Sequence, residues 1–181
     1  MSDKRRESSQ IEIYEYFLKP GYLLANREDT VVRAVLGNCV AVSMFDRESR
    51  FGGMNHFLFP ESRHRRDATA QYGNIAVHAL YRLLINMGAQ TSSLEAQIFG
   101  GSINRNLDDG DLGKRNAEAA RKMLRKIGVR VASEDVGGTR GRKVIYHTGS
   151  NETIVYKVDN IRDSDWFLPG QDIRFSKTAS R

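Results

Sequence analysis

This chain of 181 residues is poor in the residue types that usually announce a chemistry. It holds one cysteine, one tryptophan and three prolines. A lone cysteine cannot close an internal disulfide, and it cannot build a cysteine-rich zinc site. The four histidines, His56, His64, His78 and His147, fall at no recognised ligand spacing, so no metal is expected. No apolar run approaches the roughly 18 residues that a membrane span requires. The first ten residues, MSDKRRESSQ, are charged and polar with no apolar stretch behind them. They lack the pattern of a secretory leader, which points to a cytoplasmic protein without membrane insertion. The glycine pairs Gly52-Gly53, Gly100-Gly101 and Gly137-Gly138 match neither the dinucleotide fingerprint nor the Walker loop. No organic cofactor is expected, and the pairs read as strand ends where two backbones approach closely.

What is present argues for one folded domain. Apolar residues make up 40% of the chain, enough for a core and too many for a disordered polymer. The formal charge is +6, with basic clusters at Lys4-Arg5-Arg6, at Arg63, Arg65 and Arg66, and at Arg140, Arg142 and Lys143. Such a surface attracts acidic partners. No zinc-finger spacing or aromatic RNA-binding signature accompanies it, so nucleic acid is not the expected partner.

Residues 1–10 read as a mobile tail, 11–160 as the domain and 161–181 as a second tail carrying Trp166. Within the domain, IEIYEYF, YLLA, VVRAVL, VAVSMF and FGGMNHFLF read as short strands. A helix follows, with Ala76, Ala79 or Leu80, Leu83 and Met87 at helical spacing and Gly88 as its terminal glycine. LEAQIFGG is a strand. Lys114 to Lys126 forms a second helix with the stripe Ala120, Met123, Leu124 and Ile127, followed by Gly128. VRVASEDVGG, RKVIYHT and TIVYKV are three further strands. Seven to nine strands grouped around two helices predict an α+β fold with mixed sheets.

Two residues could carry chemistry. Cys39 stands in Leu36-Gly37-Asn38-Cys39-Val40, between a glycine corner and a β-branched strand. A sharp turn there can aim backbone N–H groups at one point and hold an oxyanion. The residues alone equally allow a buried, inert thiol at the start of a core strand. His56, in Gly53-Met54-Asn55-His56-Phe57, could face Cys39 across an antiparallel pair and accept its proton. A histidine satisfied within a strand is the alternative. Gly37, Asn38 and Asn55 are the candidate supports of the site.

These segments together resemble the chemotaxis protein CheD family, the chemoreceptor glutamine deamidases. LGNCVAVSMFD resembles the family's nucleophile segment and GGMNHFLFP its histidine segment. YGNIAVHALYRLLINMGA resembles the entry to its first helix, and LEAQIFGG, LGKRN and EDVGGTRGRKV resemble three later segments. The resemblance runs from about residue 12 to about residue 158 and implies a sandwich fold related to bacterial toxin deamidases. It implies hydrolysis of receptor glutamine side chains to glutamate, with Cys39 as nucleophile, His56 as base and no cofactor. It further implies receptor cytoplasmic helices as partners and, for some members, a phosphatase of the CheC type. Receptor methylesterase activity of the same pair, or docking without catalysis, are the alternatives it leaves. One departure stands out: where the family usually has a threonine that orients the histidine, this chain has Val32-Arg33-Ala34-Val35, and Thr30 lies too early. The third member of the site is therefore unassigned from sequence.

Overall fold

The computed structural model describes residues 14–62, 64, 68–103, 111–159 and 161. The expected tail 1–10, all of the expected tail 161–181 except Ile161, and the basic residues Arg63, Arg65 and Arg66 lie outside them. Nine strands and two helices follow in the order β1 (Tyr14–Phe17), β2 (Tyr22–Asn26), β3 (Thr30–Leu36), β4 (Val40–Asp46), β5 (Phe51–Phe57), α1 (Gly73–Asn86), β6 (Leu94–Gly100), α2 (Leu112–Ile127), β7 (Arg130–Val136), β8 (Gly141–His147) and β9 (Thr153–Val158). The expected α+β class with mixed sheets is what forms. One sheet has the order β1-β3-β8-β9 and the other β2-β5-β4-β6-β7. Each contains one parallel pair, β1 with β3 and β6 with β7.

Strand periodicity divides the core in two. Along β4, Val40, Val42 and Met44 turn to one face of the five-stranded sheet and are packed with Val77, Leu80, Leu84, Ala120 and Leu124 of the helices. Cys39 and Ala41 turn the other way, toward Val32, Ala34, Val144 and Tyr146 of the four-stranded sheet. Successive side chains of a strand point to opposite faces, so one alternating run supplies both cores. The result is three layers: two helices, a five-stranded sheet and a four-stranded sheet. Gly128, in the left-handed region at φ 75°, ends α2 as the sequence predicts.

The chain changes sheet repeatedly at one end of these layers. β1 leads to β2 through 18–21, β3 leads to β4 through 37–39, and β7 leads to β8 through 137–140. Hydrogen bonds tie the latter two passages to the end of β6: Ser102 N–H donates to Gly37 O at 2.9 Å, Gly101 N–H to Cys39 O at 2.8 Å and Gly137 N–H to Gly100 O at 3.0 Å. The close approach explains Gly100. Its φ is +107°, and a Cβ there would lie 2.3 Å from the Cys39 carbonyl oxygen.

At the opposite end of β4, the buried Asp46 carboxylate holds a turn and a short 3-10 helix together. It accepts from the N–H groups of Glu48 at 2.9 Å, Ser49 at 3.0 Å and Gln90 at 3.0 Å, and from the Ser93 hydroxyl at 2.8 Å. Burial alone would raise its pKa, but these four donors outweigh it and the carboxyl titrates below its ordinary value of 3.8. Its contribution to stability is thus complete above that value and is lost as pH falls through the lower folded-state pKa. Asp46→Asn would point amide hydrogens at groups that need an acceptor. We expect it to lower unfolding stability by about 2 kcal/mol in a denaturant titration at neutral pH. An unchanged midpoint would show that the turn holds without the charge.

Candidate active site

Cys39 and His56 come together through the β4–β5 hairpin. The register pairs Ala41 with His56, so Cys39 lies diagonally across the pair and on the same face. Diagonal neighbours are within reach of a long side chain. The imidazole closes the gap, with its Nε2 3.0 Å from the Cys39 Sγ. Both residues are buried; the cysteine retains 4% of its exposure and the histidine none.

The tautomer follows from the other ring nitrogen. His56 Nδ1 is 3.1 Å from the Leu18 carbonyl oxygen. A carbonyl only accepts, so the neutral ring carries its hydrogen on Nδ1 and presents the Nε2 lone pair to the thiol. Leu18 belongs to the first passage between sheets, and its own N–H donates to the Arg33 carbonyl at 2.7 Å. The backbone of one residue thus links β3 to the histidine. The second ring nitrogen of His56 is thus met by main chain, at the place that the sequence leaves unassigned. The stretch Val32-Arg33-Ala34-Val35 supplies no hydroxyl: Val32 and Ala34 pack in the core between the sheets, and Arg33 turns outward to Glu15 at 3.0 Å. Thr30 is engaged elsewhere, donating to Glu28 O and accepting from Asn26 Nδ2.

Burial favours the neutral form of each group. It pushes the Cys39 thiol up from 9.0 to about 11, although the backbone N–H groups of Gly37 and Cys39 lie against the sulfur and pull the other way. It pushes His56 down from 6.5 to about 4, opposed by the Leu18 carbonyl. The resting pair is therefore thiol and imidazole, with the S–H donating to Nε2. The arrangement can generate a thiolate by a single proton transfer along an existing hydrogen bond.

The other candidates are placed as follows. Gly37 and Asn38 form the corner before Cys39. A Cβ at Gly37 would meet only the Ile161 side chain at 3.5 Å, so the steric demand for glycine falls on Gly100 instead. Asn55 precedes His56 on β5 and therefore faces the helix layer, where its Oδ1 accepts from Val42 N–H at 3.2 Å. It is not brought to the Cys39 sulfur. His147 ends β8 and its Nδ1 accepts from the N–H groups of Gly149 and Ser150 in the turn that follows.

Two contributors were not singled out from sequence. The Leu18 carbonyl is main chain and has no sequence signature. Asn116 of α2 is fully buried, and its Nδ2 donates to Asn38 O at 2.9 Å and Leu58 O at 2.8 Å. A signal for it existed: Asn116 lies four residues before Ala120 and eight before Leu124, a polar residue on the buried stripe of its helix.

Comparison with known proteins adds an independent line. Residues 58–157 match the family model described as CheD chemotactic sensory transduction. A probable chemoreceptor glutamine deamidase CheD 1 of Anaeromyxobacter dehalogenans is 38% identical over 135 residues, which cover 74% of this chain and 78% of that protein. A probable chemoreceptor glutamine deamidase CheD of Herminiimonas arsenicoxydans is 35% identical over 158 residues, 84% of this chain and 78% of its own. A span that long necessarily includes Cys39 and His56. The chemoreceptor glutamine deamidase CheD of Thermotoga maritima is 36% identical over 137 residues, 76% of this chain and 87% of its own. The chain belongs to the CheD family.

Proposed function

We propose that this protein hydrolyses glutamine side chains of chemoreceptors to glutamate, releasing ammonia, in the cytoplasm where receptor signalling helices lie. The observation that carries the reading is the 3.0 Å contact between the Cys39 sulfur and His56 Nε2. It stands in a chain whose relatives are named chemoreceptor glutamine deamidases.

The chemistry follows from the pair. A receptor glutamine extends its carboxamide to Cys39. As the sulfur attacks the amide carbon, the thiol proton moves to His56 Nε2, and the carbonyl oxygen becomes an oxyanion. The N–H groups of Gly37 and Cys39 that lie against the sulfur are the donors best placed to hold that charge. His56 then passes its proton to the nitrogen, the C–N bond breaks and ammonia leaves. A thioester remains on Cys39. Water enters, His56 takes one of its protons, and hydrolysis frees glutamate and restores the thiol. The Leu18 carbonyl keeps Nδ1 protonated throughout and stabilises the imidazolium that forms twice per turnover.

Each event replaces an NH2 by an OH, so the test is intact-mass spectrometry of a receptor cytoplasmic fragment. The expected result is a stepwise gain of one mass unit per glutamine hydrolysed, mapped by fragmentation to glutamine positions. A fragment that binds the protein and keeps its mass would overturn the reading.

A further inference from the structure

We infer that Asn116 is a positioning residue for the nucleophile: its carboxamide fixes the peptide plane between Asn38 and Cys39, so that the Cys39 N–H stays aimed at the sulfur and the oxyanion. The inference rests on the proposed role of Cys39 and His56.

Three observations carry it. First, both hydrogens of Asn116 Nδ2 are committed, one to the carbonyl of Asn38 and one to that of Leu58. These residues flank the reacting pair, Asn38 just before Cys39 and Leu58 two residues after His56. One side chain thereby ties the nucleophile corner to the end of the histidine strand. Second, no peptide bond in the described chain is cis. In a trans peptide the C=O and N–H point in opposite directions within one rigid plane. Holding the Asn38 carbonyl toward α2 therefore turns the Cys39 N–H away from α2, to the side of the sheet on which the Cys39 side chain packs, and backbone hydrogen bonding from Cys39 is among the effects that favour its thiolate. Third, Asn116 Oδ1 is buried and has no hydrogen-bond partner among the described residues. An unpaired buried acceptor is costly. Packing alone would be better served by leucine, so it is the two donated bonds that give the carboxamide its use.

The scaffold explains how a helix reaches this point. Gly113, one turn before Asn116, lets α2 lie directly on the loop after β6. A Cβ there would come within 2.5 Å of the Ser102 carbonyl oxygen and 2.6 Å of that of Gly101. The same loop binds the Gly37 and Cys39 carbonyls. Asn38, between them, is the carbonyl that the loop leaves to Asn116.

The test compares Asn116→Leu, which matches the carboxamide in size and removes its donors, with Leu124→Ala. Leu124 is fully buried on the same helix and lies in the core facing away from Cys39. Two rates are read: receptor-fragment deamidation, and alkylation of Cys39, the only cysteine, by iodoacetamide at one fixed alkaline pH. Loss of an aimed N–H leaves less thiolate, so Asn116→Leu is expected to slow alkylation roughly tenfold, the effect of one hydrogen bond to a charged group. It is also expected to lower kcat about 100-fold, as a misplaced reacting group does, with KM little changed. Loosening of the fold acts with the opposite sign, exposing the thiol and speeding alkylation, which is the outcome expected for Leu124→Ala. Alkylation of Asn116→Leu at or above the wild-type rate overturns the inference. Should Asn116→Leu fail to fold, Asn116→Ala is read by the same criterion. Absence of deamidation by the wild-type protein would sink the proposed function, while the alkylation comparison would still decide the role of Asn116.

Discussion

Cys39→Ala is expected to abolish receptor deamidation, with kcat falling by a factor on the order of 10⁵ to 10⁶, the loss seen when a covalent nucleophile is removed. The size of the effect follows from the site. Without the sulfur no acyl intermediate forms, and His56 would have to drive water directly onto an unactivated amide. The substitution removes one atom from a buried position, so its cost in stability is small, about 1 kcal/mol. The thermal midpoint should move by a few degrees at most, and receptor binding should persist. That combination separates a chemical defect from a folding defect. Deamidation within tenfold of wild type would remove Cys39 from the mechanism and require another nucleophile. The same variant tests whether the buried thiol is structural: a large loss of stability with unchanged turnover would identify it as a core residue.

The hairpin that carries both residues is legible in the sequence because it is local. VAVSMF and FGGMNHF are β-branched or aromatic runs separated by the charged turn Asp46 to Arg50, and such a unit pairs with itself. The helices are legible for the same reason, their stripes ending at Gly88 and Gly128. What the sequence does not reveal is which strands share a sheet. β3 and β4 are consecutive and only three residues apart, yet they lie in different sheets. No periodicity encodes that change, because both strands are buried along their length except at Arg33. The partner of His56 Nδ1 depends on it. The threonine expected from the family is a side-chain signal, and its absence in Val32-Arg33-Ala34-Val35 leaves a gap when only side chains are read. The histidine's second ring nitrogen is met instead by the main chain of Leu18, which reaches His56 because β1 and β2 also lie in different sheets. A carbonyl that any residue could supply leaves no trace in composition. Asn55 shows the converse. Its identity and its position beside His56 suggest a role at the site, and strand alternation places it on the opposite face.

His56→Ala is expected to lower kcat roughly 10³- to 10⁴-fold, since it removes the group that takes the thiol proton and delivers it to the leaving nitrogen. The remaining thiol, buried and with a pKa near 11, supplies almost no thiolate at neutral pH. Raising the pH should therefore restore part of the variant's rate, whereas wild-type kcat/KM should change little between neutral and mildly alkaline pH. On the acid side, the wild-type rate should hold until protonation of the free enzyme's imidazole near pH 4. An unperturbed histidine would give an inflection near 6.5. The same depression appears in stability. The unfolded chain takes up a proton at His56 near pH 6.5 and the folded chain only near 4, so between those values the unfolded state holds more protons. Folding is thus penalised progressively as pH falls from about 6.5 to 4, by about 3 kcal/mol at the lower end for a shift of this size. His56→Ala removes that slope, so the stability difference between wild type and variant should shrink with acidification across this window. Carboxylates such as Asp46 titrate in both proteins and cancel in the difference. A difference that stays constant from pH 7 to pH 4 would mean that His56 is not held neutral by burial. The acid limb of the rate profile should then fall near 6.5 instead of near 4.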